Sequence, residues 1–251
     1  MKTTGNTILI TGGATGIGFA LLEEFVKAGS KVKICGRRLD RLEQVKARYP
    51  DVDILQCDVT DKAQRIKLFE WATADGNLNV LINNAGAQRN WLFTESHDED
   101  YDAGGSEIEL TMTAPVHLCE LFIPYLMKKD NAVIINVCSF LAVVPLSSTP
   151  VYSASKAGLH SFTRCIRQQL EDSGVKVFEL LPPAVVSEIN PTRRALGILK
   201  NLIETDVYAR TAIEALEADV YEVYPPLMDI LENKSLKEMY EYFLDPTNPR
   251  G

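Results

Sequence analysis

The sequence predicts an α/β fold, a doubly wound parallel sheet in a single domain, on three observations. Short runs rich in Val and Ile alternate with helical patterns along the chain. The runs are apolar on both faces, as strands are when helices cover a sheet from both sides. The stretches between them are long enough for the crossover helices that join parallel strands. A length of 251 residues, 46% of them hydrophobic and 24% charged, suits one domain on a large sheet.

Taken in order, the candidate strands are Thr7 to Ile10, Lys31 to Cys35, Asp53 to Cys57, Val80 to Asn83, Ala132 to Cys138, Val175 to Leu181 and Asp219 to Tyr224. Between them, Phe19 to Ala28 is helical. Glu107 to Met127 reads as a long helix that Pro115 should kink. From Tyr152 to Ser173 the residues Leu159, Phe162, Ile166 and Leu170 recur at three- and four-residue spacing, and Gly174 stands where a left-handed cap belongs. No repeat, low-complexity tract or linker interrupts the alternation, so residues 1–251 read as one Rossmann-like unit.

Composition narrows the partners. A net charge of −8 and a pI near 5.0 offer no attraction to phosphate backbones or anionic lipid, so neither nucleic acid nor membrane is expected. No apolar stretch is long enough for a signal sequence or a membrane span, and the expected compartment is the cytoplasm. The five cysteines show no C-x-x-C spacing and read as reduced structural thiols. His97, His117 and His160 lack metal-ligand spacing, and no metal is expected.

Directly after the first strand comes Thr11-Gly12-Gly13-Ala14-Thr15-Gly16-Ile17-Gly18, followed by a helix. Glycines in that place allow a tight turn and close backbone approach, and they aim helix N-terminal amides at a pyrophosphate. The plain alternative is a tight turn between strand and helix. Where a NAD-binding fold places an acid on the ribose 2′-hydroxyl, this chain reads Cys35-Gly36-Arg37-Arg38. Loss of the acid removes repulsion toward a 2′-phosphate, and Arg37, helped by Arg38, supplies a charge-assisted contact. NADP(H) is favoured over NAD(H), against the alternative that both arginines begin a solvated helix.

The glycine turn, Asn83-Asn84-Ala85-Gly86, Ser139 and Tyr152-Ser153-Ala154-Ser155-Lys156 stand in the order and spacing of the short-chain dehydrogenase/reductase family, which the chain resembles over residues 7 to about 187. Within it, Glu107 to Leu118 and Leu181-Pro182-Pro183-Ala184-Val185-Val186-Ser187 look most like bacterial dehydrogenases encoded with D-alanylation genes for lipoteichoic acid. The resemblance implies that Gly12, Thr15, Gly16, Ile17 and Gly18 cradle the cofactor and that Asp58 and Val59 contact adenine. It further implies that Asn84, Ala85 and Gly86 line the ribose, and that Pro182, Val185 and Ser187 meet the nicotinamide, although the family's usual Pro-Gly is here Pro182-Pro183.

The chemistry follows from residue types. Lys156, one helical turn from Tyr152, can hold a positive charge near the phenol and bring its pKa down from about 10. Tyr152 then serves as general acid or base while nicotinamide exchanges hydride with a carbonyl or secondary alcohol. Ser139 would hydrogen-bond the same oxygen, and Lys156 would also hold the nicotinamide ribose. A lone Tyr, Lys or Ser each has a duller role in a core, on a surface or in a turn. Their joint occurrence downstream of a dinucleotide turn argues against all three.

One position departs from the family. Thr111 stands where an active-site Asn is usual, a residue whose backbone carbonyl holds a water in a proton relay. The competing function, a weakly active or non-catalytic NADP(H)-binding regulatory protein, rests on this departure. Phe140, Val143, Val144 and Ala184 would favour an apolar carbonyl, and Gln88, Arg89 and Trp91 would add polar or stacking contacts, but most of these residues are expected simply to pack. In residues 188–251, the segment Leu227 to Phe243 suits a lid or an interface. A homodimer or homotetramer is implied by the resemblance.

Overall fold

Each Val- and Ile-rich run is a strand in a computed structural model of the chain, which describes residues 1–91, 93, 107–186, 189, 202–224 and 238. The strands are β1 (Thr7–Thr11), β2 (Lys31–Gly36), β3 (Asp53–Gln56), β4 (Val80–Asn83), β5 (Val133–Val137), β6 (Lys176–Leu180) and β7 (Glu222–Val223). They form one sheet in the order β3-β2-β1-β4-β5-β6-β7. Every pairing between them is parallel. The winding direction reverses between β1 and β4, and in such sheets the crevice at the carboxyl ends beside that reversal is where ligands bind.

The period of two along a strand sends alternate side chains to opposite faces. Ile8 and Ile10 of β1 meet α1 (Gly16–Lys27), α2 (Leu39–Arg48) and α6 (Thr205–Glu217) through Leu21, Phe25, Val45 and Tyr208. Leu9 faces the other way, toward α3 (Lys62–Thr73), α4 (Ala114–Leu126) and α5 (Pro150–Gln169), in a core with Leu68, Phe122 and Ile166. Helix starts are chemically marked. Asp61 caps α3 by accepting from the N–H groups of Ala63 at 2.7 Å and Gln64 at 3.2 Å. Pro150 opens α5, where a missing N–H costs nothing.

The expected kink before α4 takes a specific form. Glu109–Thr113 winds as a π turn and then tightens into α4. Pro115 has no N–H for the carbonyl of Thr111, four residues earlier, so a regular α-helix cannot run through this point. The helix read as Tyr152 to Ser173 begins at Pro150 and ends at Gln169, and Gly174 follows in the left-handed region at φ 78°.

A buried polar seam fastens α5 to the sheet. Asn83 Nδ2 donates to Asn136 Oδ1 at 2.9 Å, Asn136 Nδ2 donates to Thr163 Oγ1 at 2.9 Å, and Thr163 Oγ1 donates to the Leu159 carbonyl at 2.7 Å. These bonds satisfy groups that would otherwise be costly to bury, and they set the height of α5 above β5. Among the five unpaired cysteines only Cys165 is exposed. No helix among the described residues is long and apolar enough to cross a membrane.

Candidate active site

At the carboxyl end of β1 the chain turns through Gly12 at φ 66° and Gly16 at φ 58°, conformations that favour glycine. Gly18 is required by crowding instead. A Cβ there would stand 2.3 Å from Asn84 Nδ2 and 2.5 Å from the Gly12 carbonyl oxygen. Asn84 fills that space because its Nδ2 donates to the carbonyls of Thr11 at 2.9 Å and Gly12 at 3.1 Å. Thr11 Oγ1 in return accepts the N–H groups of Asn84 and Ala85, each at 3.0 Å. The glycine turn and the Asn84-Ala85-Gly86 segment are thus one bonded unit.

Thr15 occupies the N-cap of α1 without a side-chain cap bond, and the first turn carries no acid. The N–H groups of that turn, including those of Ile17 and Gly18, are oriented as an anion site. Arg38 Nη2 donates to Thr15 Oγ1 at 3.3 Å, which brings a guanidinium to the rim of the turn. Arg37 is exposed beside it, its carbonyl accepting from Gln56 Nε2 at 3.0 Å. After β3, Asp58 Oδ1 accepts from Thr60 N and Oγ1 at 2.9 and 2.8 Å, and Val59 is buried. A dinucleotide fits this surface, with a close-approach turn, helix amides for its pyrophosphate and cations at the rim.

Ser139, Tyr152 and Lys156 converge next to Gly86. Ser139 follows β5 and caps the short 3₁₀ turn Phe140–Ala142 by accepting from Leu141 N at 3.1 Å. Its side chain also faces the Tyr152 phenol closely enough to lower that group's pKa by hydrogen bonding. Lys156 Nζ donates to the Val137 carbonyl at 2.8 Å and lies 5.7 Å from the centroid of the Tyr152 ring. A Cβ on Gly86 would be 3.8 Å from that Nζ and 3.9 Å from the methyl of Thr111, so the Asn84-Ala85-Gly86 segment, the lysine and the π turn meet at one point.

Burial governs the charges here. Removal from water pushes the Tyr152 phenol above its ordinary value, while the Ser139 hydrogen bond pulls it back and the Glu107 charge adds to the rise. Burial lowers Lys156, opposed by its surroundings. The phenol is therefore held as an acid, and it needs the positive charge of Lys156 beside it to become a base.

Thr111 is fully buried, and its Oγ1 donates to the Glu107 carbonyl at 2.6 Å, bracing the π turn. Its own carbonyl lacks the donor that an α-helix would provide, because residue 115 is proline. Glu107, which the sequence reading passed over, is buried. One carboxylate oxygen accepts the Arg89 N–H at 3.0 Å, and the other has no partner among the described residues. A glutamate one turn before Thr111 was the available signal.

Pro182 is tied to the segment after β5, its carbonyl accepting Phe140 N at 3.0 Å. Val185 forms a parallel bridge with Ile203, and Ser187 lies outside the described residues, as do His97 and, apart from Glu238, Leu227 to Phe243. Val144 is fully buried and Phe140 nearly so, which makes them packing for the wall more than its surface, whereas Val143 and Ala184 are accessible. Trp91 N donates to the Ser148 carbonyl at 2.9 Å, one turn before Tyr152, and its ring stacks with Phe93 at a centroid distance of 6.4 Å. Gln88 is half-buried and Arg89 exposed.

Comparison with known proteins agrees with this arrangement. The short chain dehydrogenase family matches residues 6–196. The uncharacterized oxidoreductase DltE of Bacillus subtilis strain 168 is 44% identical over 225 residues, covering 89% of each chain. A short chain dehydrogenase from Burkholderia cenocepacia J2315 in complex with NADP superposes with a TM-score of 0.84 at 27% identity, over 98% of this chain and 100% of that one. A short chain dehydrogenase/reductase from Burkholderia phymatum in complex with NAD gives 0.80 at 21% identity over 99% of each chain, a likeness that bears on the fold alone. With the family matched across most of its length and a DltE-like relative at this identity, the chain belongs to the short chain dehydrogenases.

Proposed function

We propose that this protein is an NADP(H)-dependent oxidoreductase acting on a carbonyl compound or the corresponding secondary alcohol, with Tyr152 as its general acid and base. The observation that carries the reading is the meeting of Ser139, Tyr152 and Lys156 beside Gly86, at the carboxyl end of the sheet and next to the glycine turn.

Gly12, Thr15, Gly16, Ile17 and Gly18 would hold the pyrophosphate, Asp58 and Val59 the adenine, and Asn84, Ala85 and Gly86 the ribose. Pro182, Val185 and Ser187 would hold the nicotinamide. Arg37, with Arg38 anchored on Thr15, supports a 2′-phosphate, and no acid competes for that place. The bound nicotinamide supplies or accepts the hydride. In reduction the Tyr152 phenol, kept protonated by burial, donates to the oxygen as negative charge develops on it, and Ser139 donates a second hydrogen bond to that oxygen. In oxidation Tyr152 must first lose its proton, and Lys156 favours that loss electrostatically. Alcohol oxidation therefore rises with pH, while carbonyl reduction falls at alkaline pH as the phenol is lost.

Thr111 is compatible with turnover. Its hydroxyl supports the π turn, and Pro115 withholds the N–H that an α-helix would give its carbonyl, so the regulatory alternative gains nothing from the geometry. The unpaired thiols suit a reducing compartment, in keeping with a cytoplasmic protein, and we read the working form as a homodimer or homotetramer.

The test is a panel of ketones, aldehydes and quinones followed at the NADPH absorbance. Turnover should fall by about 10²- to 10⁴-fold in Tyr152→Phe, with NADPH affinity and the melting transition retained. Turnover unchanged in that variant would remove Tyr152 from the chemistry.

A further inference from the structure

Lys156 raises an electrostatic question. It is 3% exposed, and its ammonium donates to a neutral carbonyl, that of Val137, so burial works against its charge. A compensating anion is needed on the sheet side of α5. Strand register identifies it. Asn136 of β5 points at α5, since its amide bonds Thr163, and Asn136 pairs directly with Glu179 of β6. Glu179 therefore projects from the same face, under α5, and it has no exposure at all.

Both oxygens of Glu179 lie 2.9 Å from Nδ1 of His160, one turn beyond Lys156 on α5. Burial raises the Glu179 carboxyl above its ordinary value and His160 opposes that rise; with the carboxyl ionised, Nδ1 must carry the proton, because a carboxylate only accepts. His160 itself is 17% exposed, so the far side of its ring reaches toward solvent. The other titratable groups around the pair are few. Cys138, at the end of β5, is held as a neutral thiol by burial. Glu222 and Tyr224 flank Glu179 from β7 and the residue after it, Glu222 being engaged by Arg167 at 2.7 Å. The Tyr152 ring centroid lies 5.7 Å from the lysine Nζ.

We propose that Glu179 is a positioning residue for Lys156: a carboxylate beneath α5, clamped by His160 through both of its oxygens, that sustains the lysine's charge through its field without capturing the ammonium. The clamp matters for chemistry. A carboxylate free to swing would form an ion pair with Lys156 and draw it away from Tyr152 and the ribose. Held by His160, it leaves the lysine's remaining N–H groups to the cofactor side. Opposite charges buried on one face of α5, the carboxylate bonded to His160 one turn beyond the lysine, should shift each other's titration. This deepens the proposed reaction and rests on it for functional meaning, but the electrostatic claim stands on its own measurement.

That measurement is NMR titration of lysine side chains in the cofactor-free full-length protein, with the Lys156 signal assigned by its loss in Lys156→Arg. Glu179→Gln, which keeps shape and removes charge, should move the Lys156 midpoint down by about one pH unit or more, a tenfold loss of proton affinity. His160→Leu should move it in the same direction, because a buried carboxyl deprived of its donor takes up a proton; Glu179→Asp should restore most of the shift. The alkaline limb of the kcat/KM profile should move with the midpoint. If Glu179→Gln does not fold, His160→Leu carries the test alone. A Lys156 midpoint that stays put in the folded variants overturns the proposal, whether or not any carbonyl is reduced. A shifted midpoint in a protein that turns over no substrate leaves it standing and sinks the reaction instead.

Discussion

The two halves of the site are built by opposite means. Around Gly12 and Gly18 the decisive feature is missing side chains, with Ala85, the Gly12 carbonyl and the Asn84 amide pressed into space a methyl group would fill. Around Tyr152 and Lys156 it is the presence of buried polar groups, where every partner removed leaves another unsatisfied. The first half should tolerate no addition and the second no removal. The glycine turn is held by bonds to the segment after β4, whereas α5 depends on bonds running across β4, β5 and α5 itself.

Gly18→Ala breaks the contrast at its strongest point. A Cβ at 2.3 Å from Asn84 Nδ2 must displace the amide that ties the turn to β4, so NADPH affinity measured by fluorescence titration should fall by about 100-fold, the scale of a strained, overpacked contact. Wild-type affinity in that variant would mean that the turn does not set the cofactor's place. Asn136→Ala probes the other half by removal. Both Asn83 and Thr163 lose a partner, which should cost about 2 kcal/mol of stability in urea denaturation and slow turnover through a loosened α5. A stability loss with an unaltered rate would show that the seam supports the fold and not the helix register. The smallest effect expected is at Arg37→Ser, where loss of one exposed charge-assisted contact should weaken NADPH by about tenfold and leave NADH unchanged. Equal losses for both nucleotides would assign Arg37 to general charge and remove the basis for a 2′-phosphate preference.

What the sequence reveals divides along the same line. Glycines with a strand before them and a helix after announce their purpose, because few other residues can adopt φ near 60° or leave such space. Tyr152 and Lys156 are legible because four residues make one helical turn. Pro115 foretold a kink but not that Glu109–Thr113 would absorb it as a π turn, since that depends on how the segment seats against Gly86 and α5. Glu179 and Glu107 were not legible. In Val175 to Leu181 the glutamate looks like an interruption in an apolar run, and only the pairing with Asn136 shows that it points at His160. Glu107 reads as the polar start of a helix until its burial is known.

The amide of Asn84 has a consequence for how the protein comes into being. It bonds carbonyls 73 and 72 positions away in the chain, so the floor of the nucleotide cleft exists only once β4 has docked beside β1. Strands β1, β2 and β3 can associate earlier through nearer contacts, but during synthesis the emerging chain has no finished cleft until residues in the eighties have left the ribosome. A dinucleotide bound there would hold the docking of β4 beside β1 against reopening.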